Sequence, residues 1–120
     1  MKILIADDEL RLRKVIALYM TKTGHETVEA GNGAQAIELA KEEKPDAIVL
    51  DVMMPEMTGL EATKIIRSMP EFANTPIILL TANAREDDIK LGLESGADKY
   101  ITKPFSPKEL VEIIESIVNK

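Results

Sequence analysis

Strand-like and helix-like segments alternate along the chain. Three of the strand-like segments, at about 3–6, 47–50 and 77–80, are continuously apolar. The absence of period-2 alternation is typical of strands that are buried on both faces of a parallel sheet. Two weaker strands are predicted at 26–30 and 98–102. This alternation favours an α/β fold with a single open sheet.

Five helices are predicted between and after these strands, each from apolar residues at helical spacing and from a start or stop signal. The apolar positions and signals are Leu12, Val15, Ile16, Tyr19 and Met20 before Gly24; Ala36, Ile37 and Ala40 before Pro45; Leu60, Thr63, Ile66 and Met69 before Pro70; Ile89 and Leu93, within about 84–95, before Gly96; and Leu110, Ile113, Ile114 and Ile117 after Ser106 and Pro107. Five βα units predict a doubly wound parallel sheet. The pattern leaves the strand order open, and a flavodoxin-like order 2-1-3-4-5 would place the first and third strands side by side.

Composition narrows the class of protein. The 120 residues fit one domain, and 45% hydrophobic with 30% charged residues is a globular composition. A net charge of −6 provides no basic surface for nucleic acid or an anionic membrane. Zero cysteines exclude disulfides and thiolate metal sites. No apolar run has the length of a membrane span or signal peptide, so we expect a cytoplasmic protein without a membrane partner.

Polar residues follow four of the predicted strands at their carboxyl ends. They are Asp7 and Asp8, Asp51, Thr81 and Lys103. Ligands of open α/β sheets bind at this edge, where the strand order reverses. Clustered carboxylates raise each other's pKa unless a cation neutralises them, and Mg²⁺ prefers oxygen ligands. The sequence therefore indicates a site for a divalent metal and a phosphoryl group.

Specific roles follow from this arrangement. A carboxylate such as Asp51 can act as a nucleophile and form an aspartyl phosphate. Lys103 and the metal would offset charge on the phosphoryl oxygens, and Thr81 would donate a hydrogen bond. The Met53 backbone carbonyl is a further candidate metal ligand, and a cis Lys103–Pro104 bond is compatible with the X-Pro sequence.

Each of these residues also has a plain structural interpretation. Asp7 and Asp8 could form a turn or N-cap pair, and Asp51 could cap a strand end. Thr81 alone would most often be a turn residue, and Tyr100 would by default pack half-buried. The convergence of all the polar groups favours the functional interpretation.

Five motifs, in order along nearly the whole chain, resemble those of a response-regulator receiver domain of bacterial two-component signalling, in the CheY-like superfamily. They are Asp7-Asp8-Glu9; PDAIVLDVMMPEMTG at 45–59; Leu80-Thr81-Ala82; Gly96-Ala97-Asp98; and Lys103-Pro104-Phe105. Each motif is weak alone, and together they are highly specific. The resemblance implies a single receiver domain over residues 1–120 with the (βα)5 fold and strand order 2-1-3-4-5.

The resemblance also implies a function. A histidine kinase or phosphotransfer protein would phosphorylate Asp51 with Mg²⁺, for which Mn²⁺ could substitute, and the chain would be a switch rather than an enzyme with a separate substrate. The implied roles are metal binding by Asp7, Asp8, Asp51 and the Met53 carbonyl; phosphoryl contact by Thr81, the Ala82 backbone and Lys103; and inward movement of the switch aromatic Tyr100. These changes would reshape the face built from the fourth helix, fifth strand and fifth helix.

The C-terminal half is most similar to OmpR/PhoB-type receivers, notably in Gly92-Leu93-Glu94 and in YITKPFSPKEL at 100–110. That subfamily usually has an acid at the position of Lys99 and basic residues at Ile113 and often near Ile89, and these charges pair across an active dimer. Without them we expect a monomer or weak dimer. The output partner, a separate protein or an effector domain missing from this chain, stays open. The resemblance further implies that Met53 and Asn83 flank the path of hydrolytic water, and Met53 predicts a long-lived phosphoryl group.

Three alternative classes are less consistent with the sequence. A metal-dependent phosphohydrolase with an aspartyl nucleophile needs an acid two residues after the nucleophile, where this chain has Met53. A phosphorylation-independent interaction module would not need Asp8, Asp51, Thr81 and Lys103 together. A nucleotide- or flavin-binding protein would need a Gly-rich or Ser/Thr-rich phosphate loop after the first strand.

Overall fold

Strands and helices alternate throughout the computed structural model, which describes residues 1–82 and 85–118, without the side chains of residues 86 and 87. The elements are β1 (Lys2–Ala6), α1 (Leu10–Lys22), β2 (Glu26–Ala30), α2 (Gly33–Glu43), β3 (Ala47–Asp51), α3 (Gly59–Arg67), a short 3₁₀ helix (Pro70–Phe72), β4 (Ile77–Thr81), α4 (Glu86–Glu94), β5 (Lys99–Thr102) and α5 (Pro107–Val118). All five predicted strands and all five predicted helices are therefore present.

The five strands form one parallel sheet in the order β2-β1-β3-β4-β5. Ala6 of β1 pairs with Leu50 of β3, and Asp51 pairs with Leu80 of β4. Thr81 in turn pairs with Thr102 at the end of β5. The expected flavodoxin-like order is confirmed, and it brings the carboxyl ends of β1, β3, β4 and β5 to one edge.

The hydrophobic core has two layers, one on each face of the sheet. Leu4 and Leu50 belong to the layer covered by α2 and α3, whereas Ile3, Ile5 and Val49 belong to the layer covered by α1 and α5. All five of these side chains have no exposed area. Burying an aliphatic side chain of this size stabilises a fold by about 1.5–3 kcal/mol. Burial on both faces explains why the strand sequences do not alternate.

Side-chain caps set the starts of the helices that flank the site. Thr58 and Glu61 form a reciprocal capping box at the start of α3, and the Ser106 hydroxyl accepts a hydrogen bond from the Glu109 amide, 3.1 Å away, at the predicted start of α5. The longest described helix, α1, has 13 residues. No helix within the described ranges is long and apolar enough to cross a membrane.

Two residues predicted to lie in buried helix stripes are exposed. Val15 is 54% exposed and Leu93 is 45% exposed. The buried residues of helix α1 are Ile16, Ala17 and Met20. Val15 therefore lies beside this buried face, toward solvent. Helix α4 instead turns its small buried Gly92 toward the sheet. The expectation that Leu93 anchors α4 was therefore wrong.

The end of α3 also differs from the prediction. The helix was expected to continue to Met69, but it ends at Arg67 and is followed by the 3₁₀ helix. Phe72 of that short helix is 2% exposed and belongs to the core. The segment between α3 and β4 thus adds a core residue that helical periodicity could not predict. The predicted start of α4 at residue 84 lies outside the described residues.

Arg67 connects the end of α3 to the amino-terminal edge of the sheet. Its Nε donates to the Gly96 carbonyl at 2.9 Å, and its Nη1 donates to the carbonyls of Phe72 and Thr75 at 2.7 and 2.6 Å. Its Nη2 donates to Asp98 Oδ2 at 2.7 Å. One half-buried guanidinium therefore joins the α3–β4 and α4–β5 connections, on the side of the sheet opposite the polar edge.

Candidate functional site

Three carboxylates converge at the carboxyl edge of the sheet. Asp7 and Asp8 follow β1, and Asp51 ends the neighbouring strand β3. One oxygen from each carboxylate lies within 4.8 Å of the others. Asp7 and Asp51 are buried, at 0% and 4% exposure, whereas Asp8 is exposed at the mouth of the site. The pairing of β1 with β3 brings Asp51 to the consecutive residues Asp7 and Asp8.

Asp7 is held by its backbone and by one of its two carboxylate oxygens. Its amide donates to the Ala30 carbonyl at 3.1 Å, and its Oδ1 accepts from the Glu9 amide at 2.8 Å. Its Oδ2 is buried without a hydrogen-bond partner among the described residues. Burial, with the nearby charge of Asp51, raises the pKa of Asp7 to about 6, against the lowering effects of the Glu9 amide and Lys103.

Asp51 is oriented from both sides of its carboxylate. The Met53 amide donates to Oδ1 at 3.1 Å, and the Lys103 ammonium donates to Oδ2 at 2.7 Å. Gly59, the first residue of α3, packs so closely on the Asp51 carbonyl that a Cβ there would overlap it. The Gly59 amide also donates to the Val52 carbonyl at 2.9 Å. The absence of a side chain at Gly59 therefore lets α3 start against the site.

Lys103 reaches this carboxylate pair from the end of β5. Its amide donates to the Thr81 carbonyl at 2.6 Å, and the Lys103–Pro104 bond is cis, as the sequence allowed. The ammonium also lies 3.8 Å from Asp7 Oδ2. Burial lowers the pKa of Lys103, but the hydrogen bond to Asp51 and the surrounding acids outweigh it, so the net pKa is raised. Lys103 is therefore a firmly protonated cation between two buried acids.

A cavity of about 150 Å³ adjoins the carboxylates on the α4 side. It is lined by Val52, Met53, Leu60, Thr81, Ala82, Asp88 and Tyr100. Thr81 is 2% exposed and Tyr100 is half-buried against the core. A cavity of this volume can hold an aromatic ring. The structure thus places Thr81, Ala82 and Tyr100 around one space next to Asp51.

The donor set suits a hard divalent cation. Mg²⁺ is coordinated by oxygen atoms, such as those of the three carboxylates and of a neighbouring backbone carbonyl. Waters and phosphate oxygens complete its coordination shell. The buried Asp7 Oδ2 has no hydrogen-bond donor among the described residues, and its pKa is raised. A cation there would relieve both features. The residues present therefore fit a magnesium ion.

Comparison with known proteins identifies the family. The family model named response regulator receiver domain matches residues 3–115 of this chain. The chain belongs to the response regulator receiver domain family. It is therefore a signalling domain of the two-component type. A relative, the transcriptional regulatory protein SrrA of Staphylococcus aureus, is 44% identical over 119 residues, which are 99% of this chain and 48% of SrrA. The chain thus spans about half the length of the curated relatives it matches.

Solved receiver domains have the same fold. The Francisella response regulator 1452 receiver domain is 36% identical, with a TM-score of 0.91, over 98% of this chain and 96% of that one. The receiver domain of sensor histidine kinase PA1611 from Pseudomonas aeruginosa is 32% identical, with a TM-score of 0.91, over 99% and 98%. That structure has a magnesium ion coordinated in its active-site cleft.

Most of the predicted site residues of this receiver domain converge. One cluster contains the carboxylates of Asp7, Asp8 and Asp51, and the Lys103 ammonium lies against two of them. The adjoining cavity is lined by Thr81, Ala82, Tyr100 and Met53. Met53 is one of the residues that line this cavity, and it is 70% exposed. Asn83, expected beside the path of hydrolytic water, lies outside the described residues, so the lifetime expectation stays a prediction.

Sequence reasoning missed three residues that shape the site. Gly59 entered the prediction only as the last residue of the motif at 45–59, although its close approach to Asp51 requires the absence of a side chain. Arg13, whose Nη1 donates to the Asp7 carbonyl at 2.8 Å, was not considered. Gly92, whose bare α-carbon faces the Tyr100 ring, was not predicted to shape the site. A glycine inside a predicted helix was the available signal for Gly92.

Proposed function

We propose that this receiver domain is a phosphorylation-activated switch in which Asp51 accepts the phosphoryl group. The observation that supports this most strongly is the position of the Asp51 carboxylate. It lies 2.7 Å from the Lys103 ammonium and within 4.8 Å of oxygens from two further acids. A buried carboxylate that is flanked by a cation and by metal-binding oxygens is equipped for phosphoryl transfer.

The donor is a phosphohistidine of a sensor histidine kinase or a phosphotransfer protein. An Asp51 carboxylate oxygen forms a bond to phosphorus while the phosphorus–nitrogen bond of the donor breaks, and the imidazole leaves. Lys103 donates to a phosphoryl oxygen, as do the Thr81 hydroxyl and the Ala82 amide. Mg²⁺, or Mn²⁺ instead, would be held by Asp7, Asp8, Asp51 and the Met53 carbonyl. When bound, the metal neutralises charge on the phosphoryl oxygens.

Phosphorylation shifts the conformation through the cavity beside Asp51. Thr81 moves toward the new phosphoryl oxygens, and the ring of Tyr100 moves inward into the space of about 150 Å³. This movement reshapes the face formed by α4, β5 and α5. A local charge change then biases two conformations that differ by a small free energy. The domain itself has no separate substrate and turns over only its own phosphoryl group.

The output partner is a protein or an effector domain, in keeping with the regulator SrrA, of which this chain matches 48%. A net charge of −6 argues against direct contact with nucleic acid or an anionic membrane. We place the domain, over residues 1–120, in the cytoplasm. Because Lys99, Ile89 and Ile113 do not provide the charges of a paired interface, we expect a monomer or weak dimer in light scattering. A tight phosphorylation-dependent dimer would contradict this expectation.

Intact mass spectrometry tests the phosphoryl acceptor directly. The protein and its Asp51→Asn variant are incubated with acetyl phosphate, with and without Mg²⁺. We expect one Mg²⁺-dependent phosphoryl adduct on the unmodified protein and none on Asp51→Asn. Asp46→Asn, at the opposite end of β3, is the matched control and should keep the adduct. An adduct that persists in Asp51→Asn, or a folded protein that never acquires one, would refute the proposal.

A further inference from the structure

We propose that Arg13 of α1 is a positioning residue for the acidic cluster, because its guanidinium holds the backbone from which the Asp7 carboxylate projects. This inference rests on the proposed function, in which Asp7 binds the metal. Arg13 makes no contact with Asp51 or Lys103 among the described interactions. Its effect therefore reaches the site through Asp7.

The contact joins the ends of two strands. Arg13 Nη1 donates to the Asp7 carbonyl at 2.8 Å and approaches the Ala30 carbonyl at 3.5 Å. The Asp7 amide donates to the same Ala30 carbonyl at 3.1 Å. The guanidinium thus bridges the carboxyl ends of β1 and β2, just where the chain leaves the sheet. Both the amide and the carbonyl of Asp7 are fixed.

Arg13 is itself held in place. Its Nε donates to Glu29 Oε1 at 3.1 Å, and the other oxygen of Glu29 accepts from Lys14 Nζ at 3.0 Å. The Arg13 side chain is 16% exposed. Gly31 lies against it, because a Cβ on Gly31 would lie 3.3 Å from Nη1. The arginine therefore has one well-defined position, unlike a surface arginine.

Arg13 acts on the Asp7 carboxylate through the position of the backbone rather than through its charge. The charged groups that shift the Asp7 carboxylate are Asp51 and Lys103, whereas Arg13 contacts the Asp7 main chain. Oδ1 is already engaged by the Glu9 amide, so the direction of Oδ2 depends on where the backbone lies. Mg²⁺ demands near-ideal octahedral geometry, and a displaced ligand weakens its binding.

The test is the Mg²⁺ affinity of the whole domain, measured from backbone amide shifts in two-dimensional NMR. Arg13→Met keeps the length of the side chain but loses the hydrogen bonds, and it should weaken Mg²⁺ binding by about tenfold or more, as loss of outer-shell partners typically does. Lys14→Met is the matched control. It removes the same charge from the same helix, and Lys14 is also a partner of Glu29, but Lys14 has no contact with Asp7. The dissociation constant of Lys14→Met for Mg²⁺ should therefore stay within about twofold of the unmodified value.

Amide hydrogen exchange without metal provides a second readout. In Arg13→Met the Asp7 amide should exchange faster than in Lys14→Met, and Arg13→Lys, which can still donate to the Asp7 carbonyl, should restore part of both effects. If Arg13→Met does not fold, Glu29→Gln, which loosens the arginine, should weaken Mg²⁺ binding to a smaller extent.

The two proposals fail in different ways. An unmodified protein that binds no Mg²⁺ would refute the metal site of the proposed function. If the unmodified protein binds Mg²⁺ and Arg13→Met binds it with an unchanged dissociation constant, only the positioning role is refuted. Where Arg13→Met does not fold, an unchanged dissociation constant in Glu29→Gln has the same meaning. Equal weakening by Lys14→Met would also refute it, because the effect would then follow the charge of α1.

Discussion

The Lys103 ammonium donates a 2.7 Å hydrogen bond to Asp51 Oδ2. The two residues are 52 positions apart in sequence, and the sheet brings the end of β5 near the end of β3 across the intervening strand β4. The ammonium also lies 3.8 Å from Asp7 Oδ2. One cation therefore serves both buried acids before any phosphoryl group arrives.

Lys103→Met should greatly slow the phosphorylation of Asp51. A preorganised donor to a developing oxyanion is worth about 10²–10³-fold in rate, and methionine cannot donate. The rate is measured by intact mass with acetyl phosphate at saturating Mg²⁺. Lys99→Met, an exposed lysine at the other end of β5, is the control and should keep the normal rate. Similar rates in both variants would show that the Lys103 ammonium does not act on the phosphoryl group.

Asp7→Asn should stabilise the metal-free domain above pH 6. The pKa of Asp7 is raised from 3.8 to about 6, so the folded state binds this proton more tightly than the unfolded state. The stability it contributes is fully present below about pH 4 and is lost as the pH rises through about 6. At pH 7.5 the ionised Asp7 then costs on the order of 2–3 kcal/mol, and asparagine removes that cost.

The measurement is chemical unfolding at pH 4 and pH 7.5 without divalent ions. The free energy of unfolding of Asp7→Asn should exceed that of the unmodified protein by about 1–3 kcal/mol at pH 7.5 and by little or nothing at pH 4. Asp8→Asn, which changes an exposed carboxylate, is the control and should change stability much less. A gain for Asp7→Asn that is the same at both pH values would mean that ionisation of Asp7 is not its cause.

Arg67→Met should destabilise the fold without affecting phosphorylation. It removes hydrogen bonds to three carbonyls and to Asp98. Such a bond from a charged group has a net value of up to about 1.5–3 kcal/mol, and less where water can replace the protein partner. We expect a net loss of about 2–4 kcal/mol in unfolding free energy. Lys64→Met, an exposed lysine on the same helix, should be nearly neutral. A comparable loss in both variants would assign the effect to helix α3 rather than to these contacts.

The sheet and its polar edge could be predicted because their signals are local. Three buried strands contain continuous apolar runs, and a chemically distinctive residue such as Asp51 stands at the carboxyl end of such a run. Lys103 follows the weaker strand β5. Parallel topology then brings those residues to one edge. The strand order was an expectation from the family resemblance, because alternation of elements does not distinguish one order from another.

The features that sequence patterns missed depend on tertiary contacts. Arg13 stands in an amphipathic helix, where a basic residue is normally assigned to solvent, and its burial follows from its contacts with Asp7 and Glu29 in the fold. Leu93 was predicted to pack against the core because a leucine at helical spacing usually lies on the buried face of its helix. Its helix instead packs through Gly92, and a hydrophobicity pattern gives no weight to a glycine that allows close approach.

Gly92 of α4 is packed against the ring of Tyr100. A Cβ at Gly92 would lie 2.5 and 2.6 Å from Cδ2 and Cε2 of the ring, and 3.3 Å from Cδ1 of Leu79. An alanine there must therefore displace the Tyr100 ring or lift α4 from the sheet. Overpacking of this kind costs about 1–3 kcal/mol, while the helix propensity of alanine over glycine returns about 1 kcal/mol.

Gly92→Ala should therefore destabilise the domain and shift the NMR signals of the Tyr100 ring. In a Tyr100→Ala background the ring is absent, so the same substitution should become stabilising through helix propensity alone. The measurement is a double-mutant cycle of unfolding free energies, and the expected reversal of sign is its most specific feature. If Gly92→Ala destabilises both backgrounds equally, the glycine is needed for Leu79 or for the backbone of α4. A reversal would instead establish that Gly92 sets how closely α4 can approach the switch aromatic.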